Sequence, residues 1–142
     1  MIRAVCDTNI VVSGLLWGGA PAQAIDAAIE QQITLLTSEI LTAELMRVLS
    51  RSKFKPRFEQ LGKSAEDFVA NYRALVEIVI PAPILPTIIA DPTDDAVLAC
   101  AAGGKAEYIV SGDKHLLMLG RFEAIPIITI NDFLEKLADQ AE

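Results

Sequence analysis

Short apolar runs alternate with longer amphipathic stretches along the whole chain. The apolar runs predict β-strands at residues 2–6, 33–37, 78–84, 108–111 and 127–130, and prolines weaken the third of these. The amphipathic stretches predict helices at residues 20–31, 38–50, 64–76 and 92–103, a short helix after Asp113, and a last helix that Asn131 caps. Strands without an alternating polar face are buried on both sides. The pattern therefore favours an α/β fold with a mostly parallel sheet covered by helices on both faces.

Acidic residues stand where this pattern expects apolar or neutral ones. Asp7 directly follows the first strand, and Asp113 follows the strand at 108–111 after one glycine. Because functional groups of such sheets gather beyond the carboxyl ends of the strands, we expect both side chains at one edge of the sheet. Glu44 and Asp95 each lie on the apolar face of a predicted helix. An unpaired carboxylate in such a position is costly to desolvate.

Each of these acids also has a purely structural explanation. Glu44 could reach solvent at a groove or pair with a cation of residues 47–53. The aspartates within residues 91–95 lie at a helix N-terminus, where caps and the helix dipole favour acids. Asp113 could be a turn residue or an N-cap. The acids are therefore more informative together than singly.

Four carboxylates that converge would repel one another unless a cation lies among them. Carboxylate and water ligands suit Mg²⁺ or Mn²⁺, which can activate a water molecule and stabilise the charge on a phosphodiester. The chain has a single histidine and two cysteines, which rules out a zinc site of the usual Cys/His spacing. The pattern thus indicates a divalent metal site formed by Asp7, Glu44, Asp95 and Asp113.

Composition and charge narrow the picture further. The 142 residues fit one domain, 1–142, and the hydrophobic fraction of 52% indicates a sheet covered on both faces, an apolar partner surface, or both. A net charge of −7 argues against a purely electrostatic nucleic-acid binder, although bound cations would change the sign of an acidic site. No apolar run is long enough for a membrane span, and no signal-peptide pattern precedes the first strand, so we expect a cytoplasmic protein.

A basic stretch in the middle of the chain offers a place for RNA to bind. Its cations are Arg51, Lys53, Lys55 and Arg57. They could neutralise phosphates while the nearby phenylalanines stack on bases, or the stretch could be a solvated loop whose phenylalanines dock on the core. The role of Trp17 is equally open, since this residue could pack under a loop, contact RNA or lie in a protein interface.

Four segments, in order, resemble blocks of a known family. They are residues 6–16 (Cys-Asp-Thr-Asn-Ile-Val-Val-Ser-Gly-Leu-Leu), 41–45 (Leu-Thr-Ala-Glu-Leu), 91–101 and 108–117, the last containing Ser-Gly-Asp-Lys. The resemblance is to PIN domains, with Asp7, Glu44, Asp95 and Asp113 as the acids of the successive blocks. It implies a three-layer α/β/α fold and cleavage of RNA phosphodiester bonds that depends on Mg²⁺ or Mn²⁺.

The opening block and the Ser-Gly-Asp-Lys segment are similar to those of VapC-type toxins from toxin–antitoxin pairs. This resemblance implies a small antitoxin protein as partner and a homodimer. It also implies that the four acids bind metal or orient its water, and that Thr8, Asn9 and Ser111 are supporting hydrogen-bonding groups. The third block is rich in acids, so Asp94 stays open as the alternative to Asp95.

Two other functions stay open at this point. An aspartate-based phosphatase or phosphotransfer domain would use Asp7 as its nucleophile, although Asn9 stands where dehalogenase-like phosphatases have a second aspartate. A non-catalytic PIN module that binds RNA or protein would keep the fold without the chemistry. All four acids are present, which favours the enzyme.

Overall fold

A mixed β-sheet forms the centre of the computed structural model, which describes residues 1–87 and 91–141. Its strands are β1 Ile2–Cys6, β2 Ile33–Thr37, β3 Glu77–Ile78, β4 Tyr108–Val110, β5 Arg121–Phe122 and β6 Ile125–Ile128. Within the described ranges the sheet has six strands in the order β3-β2-β1-β4-β6-β5. All neighbouring pairs are parallel except β5 with β6. The predicted α/β fold with a mostly parallel sheet is confirmed.

Helices cover both faces of this sheet. They are α1 Thr8–Leu16, α2 Gly19–Ile29, α3 Glu39–Leu49, α4 Lys55–Leu61, α5 Ala65–Leu75, α6 Pro92–Gly103, α7 Lys114–Leu119 and α8 Ile130–Ala141, with a 3₁₀ turn, Ser52–Phe54, before α4. One core cluster joins the sheet to α1, α2, α3, α5 and α8, and a second joins it to α6 and α7. Among residues 1–87 and 91–141, no helix combines the length and apolar character needed to cross a membrane.

Strand β1 lies in the middle of the sheet and is buried from both sides. Ala4 and Cys6 belong to one core cluster, and Val5, between them, belongs to the other. Cys6 and Cys100 are both free and buried. The ladder continues past the strand ends, because Asp7 N–H donates to the Val110 carbonyl at 3.0 Å. This hydrogen bond sets the end of β1 beside the end of β4.

Side-chain caps fix the starts of α3 and α5. Ser38 Oγ accepts a hydrogen bond from Leu41 N–H at 3.2 Å. Ser64 and Asp67 form a reciprocal capping box, with each side chain accepting from the other residue's backbone N–H. These short-range hydrogen bonds explain why the predicted starts of both helices are confirmed.

Several predicted boundaries are wrong. Residues 8–16, which the sequence left without an assignment, form α1, and Asp7 is the N-cap of this helix. The predicted strand at 78–84 is reduced to the two residues of β3, since prolines follow. Asn131 lies inside α8 rather than capping it, and Thr129 Oγ1 accepts from Asp132 N–H instead.

The last turn of α6 packs directly against backbone. A Cβ atom added at Gly103 would lie 2.1 Å from the Ile80 carbonyl oxygen and 2.7 Å from Ala82 N. The same segment is tied to α6 by the hydrogen bond from Ala82 N–H to the Ala99 carbonyl at 3.0 Å. Gly103 therefore permits a backbone approach that any side chain would prevent.

We expect Gly103→Ala to lower the free energy of unfolding by about 1–3 kcal/mol, because the added methyl group must displace backbone. Urea unfolding followed by circular dichroism measures this change. Gly112→Ala is the matched control, since a Cβ there meets nothing within 4 Å. An equal loss from both substitutions would contradict the prediction.

Candidate functional site

The carboxyl ends of β1 and β4 are joined by buried side chains. Asp7 Oδ1 accepts from Ile10 N–H at 2.9 Å and so caps α1, while its Oδ2 accepts from the Ser111 hydroxyl. Ser111, which is 0% exposed, also accepts from Asp113 N–H at 2.9 Å. One serine thus connects Asp7 to the turn that carries Asp113, and the expected meeting of these two acids at one sheet edge is observed.

Asp113 is both an N-cap and a residue of the resulting cleft. Its Oδ1 accepts from His115 N–H at 2.8 Å and from Leu116 N–H at 3.2 Å, which starts α7. The same side chain lines the cleft that Asp7 borders. Asp113 therefore caps α7 and lines the cleft at the same time.

In the third acidic block, the structure places Asp94 in the cleft rather than Asp95. Asp94 is 5% exposed and lines the cleft with Asp7 and Asp113. Asp95 does not belong to the cleft lining, and its carboxylate accepts from Thr87 N–H at 3.1 and 3.3 Å. The lining of the cleft thus favours Asp94, the alternative that the sequence left open, over the predicted Asp95.

The position of Asp94 follows from which face of α6 is buried. The buried apolar side chains are Val97, Leu98, Cys100 and Ala101, and three of these lie three, four and seven residues after Asp94. Ala99 and Ala102, which made Asp95 look buried in projection, are only half-buried. Because alanines line both faces of this helix, its hydrophobic pattern alone does not select the core face.

Glu44 lies in the cleft in an ion pair. Arg47 Nε donates to Glu44 Oε2 at 2.9 Å, and Arg47 Nη2 lies 2.5 Å from Glu44 Oε1. Pairing with a cation of residues 47–53 was one of the two explanations left open, and it coexists with a position in the cleft. Ile40, which helped to define the predicted apolar face around Glu44, is 61% exposed. Glu44 therefore lies at the rim of the cleft rather than in the core.

The cleft has a volume of about 200 Å³ and is strongly acidic. It is lined by Asp7, Thr8, Asn9, Glu44, Arg47, Val48, Arg51, Asp91, Thr93, Asp94, Val97 and Asp113. Among the predicted site residues, the structure brings together Asp7, Glu44 and Asp113 with Thr8 and Asn9, and Ser111 lies behind them. The cleft also contains Asp91 and Arg47, which the sequence did not predict as site residues. Asp91 also caps α6 by accepting a hydrogen bond from Thr93 N–H at 2.9 Å.

The basic stretch is divided by the fold. Arg51 lines the acidic cleft. The other predicted RNA-binding cations, Lys53, Lys55 and Arg57, lie outside that lining. Phe54 and Phe58 pack against a core cluster, so the alternative in which these phenylalanines dock on the core is the observed one.

Burial and mutual repulsion raise the pKa values of two acids that line the cleft. Desolvation raises the pKa of Asp7, although the hydrogen bonds from Ser111 and Ile10 oppose the shift. Desolvation, followed by the charges of Asp113 and Asp91, raises the pKa of Asp94 to about 7. Both directions mean that the fold disfavours the ionised carboxylates. A bound cation would reverse this preference.

The residues present fit a hard divalent cation. Among the described residues, Asp94 Oδ2 is the buried side-chain oxygen left without a hydrogen-bond partner. Ligand atoms of Asp94, Asp113 and His115 all lie within 4.8 Å of one another. Carboxylate oxygens are preferred ligands of Mg²⁺ and Mn²⁺. His115, to which the carboxylate pattern gives no pointer, enters this group because it follows Asp113 by two residues at the start of α7.

We expect Asp94→Asn to stabilise the protein in the presence of a chelator above pH 7. Because the pKa of Asp94 is raised to about 7 in the fold, ionisation of this group lowers stability progressively between about pH 4 and pH 7. Below about pH 4 the group is protonated in both states, and the two proteins should be equally stable. Above pH 7 the variant should be more stable than wild type, because it carries no charge at this position.

Urea unfolding across this pH range measures the effect. Asp95→Asn is the matched control, and it should show no such gain because the Asp95 carboxylate accepts a backbone hydrogen bond from Thr87. An Asp94→Asn protein no more stable than wild type at pH 8 would show that the carboxylate is not under electrostatic strain.

Comparison with known proteins identifies the family to which this chain belongs. Residues 3–115 match the family model described as PIN domain. A search of curated proteins gives no significant match. A chain in the crystal structure of VapBC2 from Rickettsia felis, bound to a DNA fragment from their promoter, is similar with a TM-score of 0.61 and 16% sequence identity, covering 90% of this chain and 98% of that one. At this identity the likeness shows the fold. Since the family model spans most of the sequence, the chain belongs to the PIN-domain family.

Proposed function

We propose that this protein is a metal-dependent ribonuclease that hydrolyses RNA phosphodiester bonds and serves as the toxin of a toxin–antitoxin pair. PIN-family membership and the likeness in fold to a chain of the VapBC2 structure support the proposal. The observation that carries it is Asp94, a buried carboxylate with an unpartnered oxygen in a cleft shared with Asp7 and Asp113. A fold keeps such a group when a cation compensates its charge.

We assign Asp7, Asp94 and Asp113 to the binding of Mg²⁺ or Mn²⁺, with Glu44 as a further ligand or as the residue that orients the attacking water. When bound, the cation would activate that water and stabilise the charge on the phosphodiester. Ser111 holds the Asp7 carboxylate in place through its hydroxyl. Thr8 and Asn9, at the start of α1, are supporting groups that face the same cleft.

Arginines of the cleft are suited to the substrate's phosphates. Arg47 and Arg51 both line the cleft, and the side chain of Arg47 is 62% exposed. An arginine can exchange one anionic partner for another through the same planar donors. We propose that Arg47 leaves Glu44 for a phosphate oxygen when RNA binds, which frees Glu44 for its role at the metal.

The proposed partners are RNA, a small antitoxin protein and a second copy of this chain, in the cytoplasm. The similarity of the opening block to VapC-type toxins supports the antitoxin and the homodimer. An apolar groove of about 380 Å³ that includes Leu15, Ile25, Ile29 and Phe68 supports docking of a protein. Ile29 is 60% exposed, which leaves apolar surface for a partner to cover.

The aspartyl-phosphate alternative fits this chain poorly. Dehalogenase-like phosphatases need a second aspartate two residues after the nucleophile, and Asn9 stands there. Hydrogen bonds from Ile10 N–H and from the Ser111 hydroxyl fix the Asp7 carboxylate in one orientation, which suits a metal ligand.

The direct test is cleavage of a mixed pool of structured and unpaired RNAs with Mg²⁺, with Mn²⁺ and with EDTA. We expect metal-dependent cleavage by wild type, abolished by EDTA and reduced at least about 100-fold by Asp7→Asn or Asp94→Asn, because each removes a charged ligand. Asp95→Asn is the control and should retain cleavage. Cleavage that survives EDTA, or equal cleavage by wild type and Asp7→Asn, would refute the proposal.

Metal binding can also be measured without any cleavage. At Mn²⁺ concentrations about 100-fold above the dissociation constant, wild type should gain about 2.7 kcal/mol of stability, since only the folded state forms the site. Asp94→Asn should gain much less, although it starts from a higher stability in chelator. A calorimetric titration that shows equal Mn²⁺ affinity for both proteins would remove Asp94 from the ligand set.

A further inference from the structure

A second groove lies at the far end of α1, outside the acidic cleft. We call it the aromatic–basic groove; it is lined by Leu16, Trp17, Gly18, Arg57, Lys63 and Phe68, among others. Its volume is about 520 Å³. Trp17 is 59% exposed there, although a tryptophan usually hides most of its surface. Nothing in the proposed metal chemistry uses this surface.

The indole of Trp17 is held in place rather than loose. The guanidinium carbon of Arg57 lies 4.8 Å from the centre of the Trp17 ring. Arg57 Nε donates to the Leu16 carbonyl at 2.7 Å, which anchors the guanidinium to the end of α1. More than half of the Trp17 surface stays open to a ligand. A fixed aromatic ring beside cations is the arrangement on which unpaired bases stack.

Charge connects this groove to the acidic cleft. Residues 47–63 contain six lysines and arginines and one acid, a net charge of +5 in a chain whose net charge is −7. Arg51, near the start of this segment, lines the cleft, while Arg57 and Lys63 line the aromatic–basic groove. Lys53 and Lys55, between them along the chain, are exposed. We call residues 47–63 the basic track, because cations of this one segment line both sites.

Helix α1 sets the distance between the two sites. Thr8, at its start, lines the cleft, and Leu16, at its end, lines the groove. A helix with the nine residues of α1 is about 14 Å long. That length corresponds to about four nucleotides of a stacked strand, which rises about 3.4 Å per nucleotide.

We propose that the aromatic–basic groove is a second binding site for the RNA substrate, in which an unpaired base about four nucleotides from the scissile phosphate stacks on Trp17. Lys63 neutralises a phosphate next to that base. The inference rests on the proposed ribonuclease function, because it takes the basic track as the path of one strand. An acidic protein segment would satisfy the charges, but the continuity of the track with the cleft favours RNA.

The fluorescence of Trp17 reports on binding in the aromatic–basic groove, because Trp17 is the single tryptophan of the chain. The experiment uses the full chain with Asp7→Asn, which prevents cleavage, and a short unpaired RNA. We expect saturable quenching of the indole fluorescence. An oligomer of the same length that lacks the base at the stacking position should bind without comparable quenching. Quenching of equal size by the abasic oligomer would overturn base stacking.

Variants separate the base contact from the phosphate contact. In the same background, Trp17→Ala should weaken binding of a labelled RNA roughly tenfold, and Trp17→Phe should restore part of the affinity. Lys63→Gln should lower the slope of log affinity against log salt by about one, while Lys136→Gln, an exposed lysine of α8, should not. Arg57 is left unchanged because it also holds the end of α1.

The outcomes distinguish this inference from the proposed function. Unchanged RNA affinity in Trp17→Ala, together with intact metal-dependent cleavage by wild type, would refute the second site alone. Fluorescence quenching by an acidic peptide but not by RNA would assign the groove to a protein and overturn the inference. Specific quenching by RNA with no cleavage by wild type would keep the second site and refute the nuclease.

Discussion

The hydrogen bond between Ser111 and Asp7 joins the fold to the site. It links the end of β1 to the residue that follows β4, at 0% exposure for Ser111. Each of the two partners then helps to orient the start of a different helix. Asp7 caps α1 with its second oxygen, and Ser111 accepts the N–H of Asp113, which in turn caps α7. Two helices and two acids of the cleft are thus oriented from a single buried contact.

Orienting several acids toward one cleft has an electrostatic cost. The acids that start α1, α6 and α7 all line one cleft, so the fold holds their charges close together, and Asp7 among them is buried. Hydrogen bonds compensate Asp7, and the ion pair with Arg47 compensates Glu44. Asp94 keeps an oxygen without such compensation. Strain of this kind concentrates at functional sites, where a ligand relieves it.

The sequence was sufficient for the parts of the site that depend on strand ends. Asp7 and Asp113 follow apolar strands, and parallel strands place such residues at one edge whatever the details of packing. Glu44 was selected because the helical projection placed it on an apolar face, although Ile40 of that face is exposed and Glu44 lies at the rim of the cleft. Asp94 could not be separated from Asp95 in this way, since alanines make two faces of α6 look equally apolar. Only the packing of Val97 and Leu98 against the sheet decides between them.

The pattern of apolar and polar residues could not predict contacts between distant segments. Arg57 meets Trp17 and the Leu16 carbonyl across forty or so residues of chain, and no periodicity relates the two segments. Helix α1 was missed for a related reason, because Asp7 reads locally as a turn residue until its capping bond to Ile10 is known.

The proposed ribonuclease would have to bind an acidic polymer on an acidic protein. With a net charge of −7, the surface as a whole repels RNA, which discourages non-specific binding. The positive charge is concentrated instead in residues 47–63, beside an acidic cleft whose charge the proposed cation would offset. Affinity for RNA would then require both the metal and the basic track. Binding would therefore favour a strand placed for cleavage over one that lies elsewhere on the surface, because only the first meets both sources of positive charge.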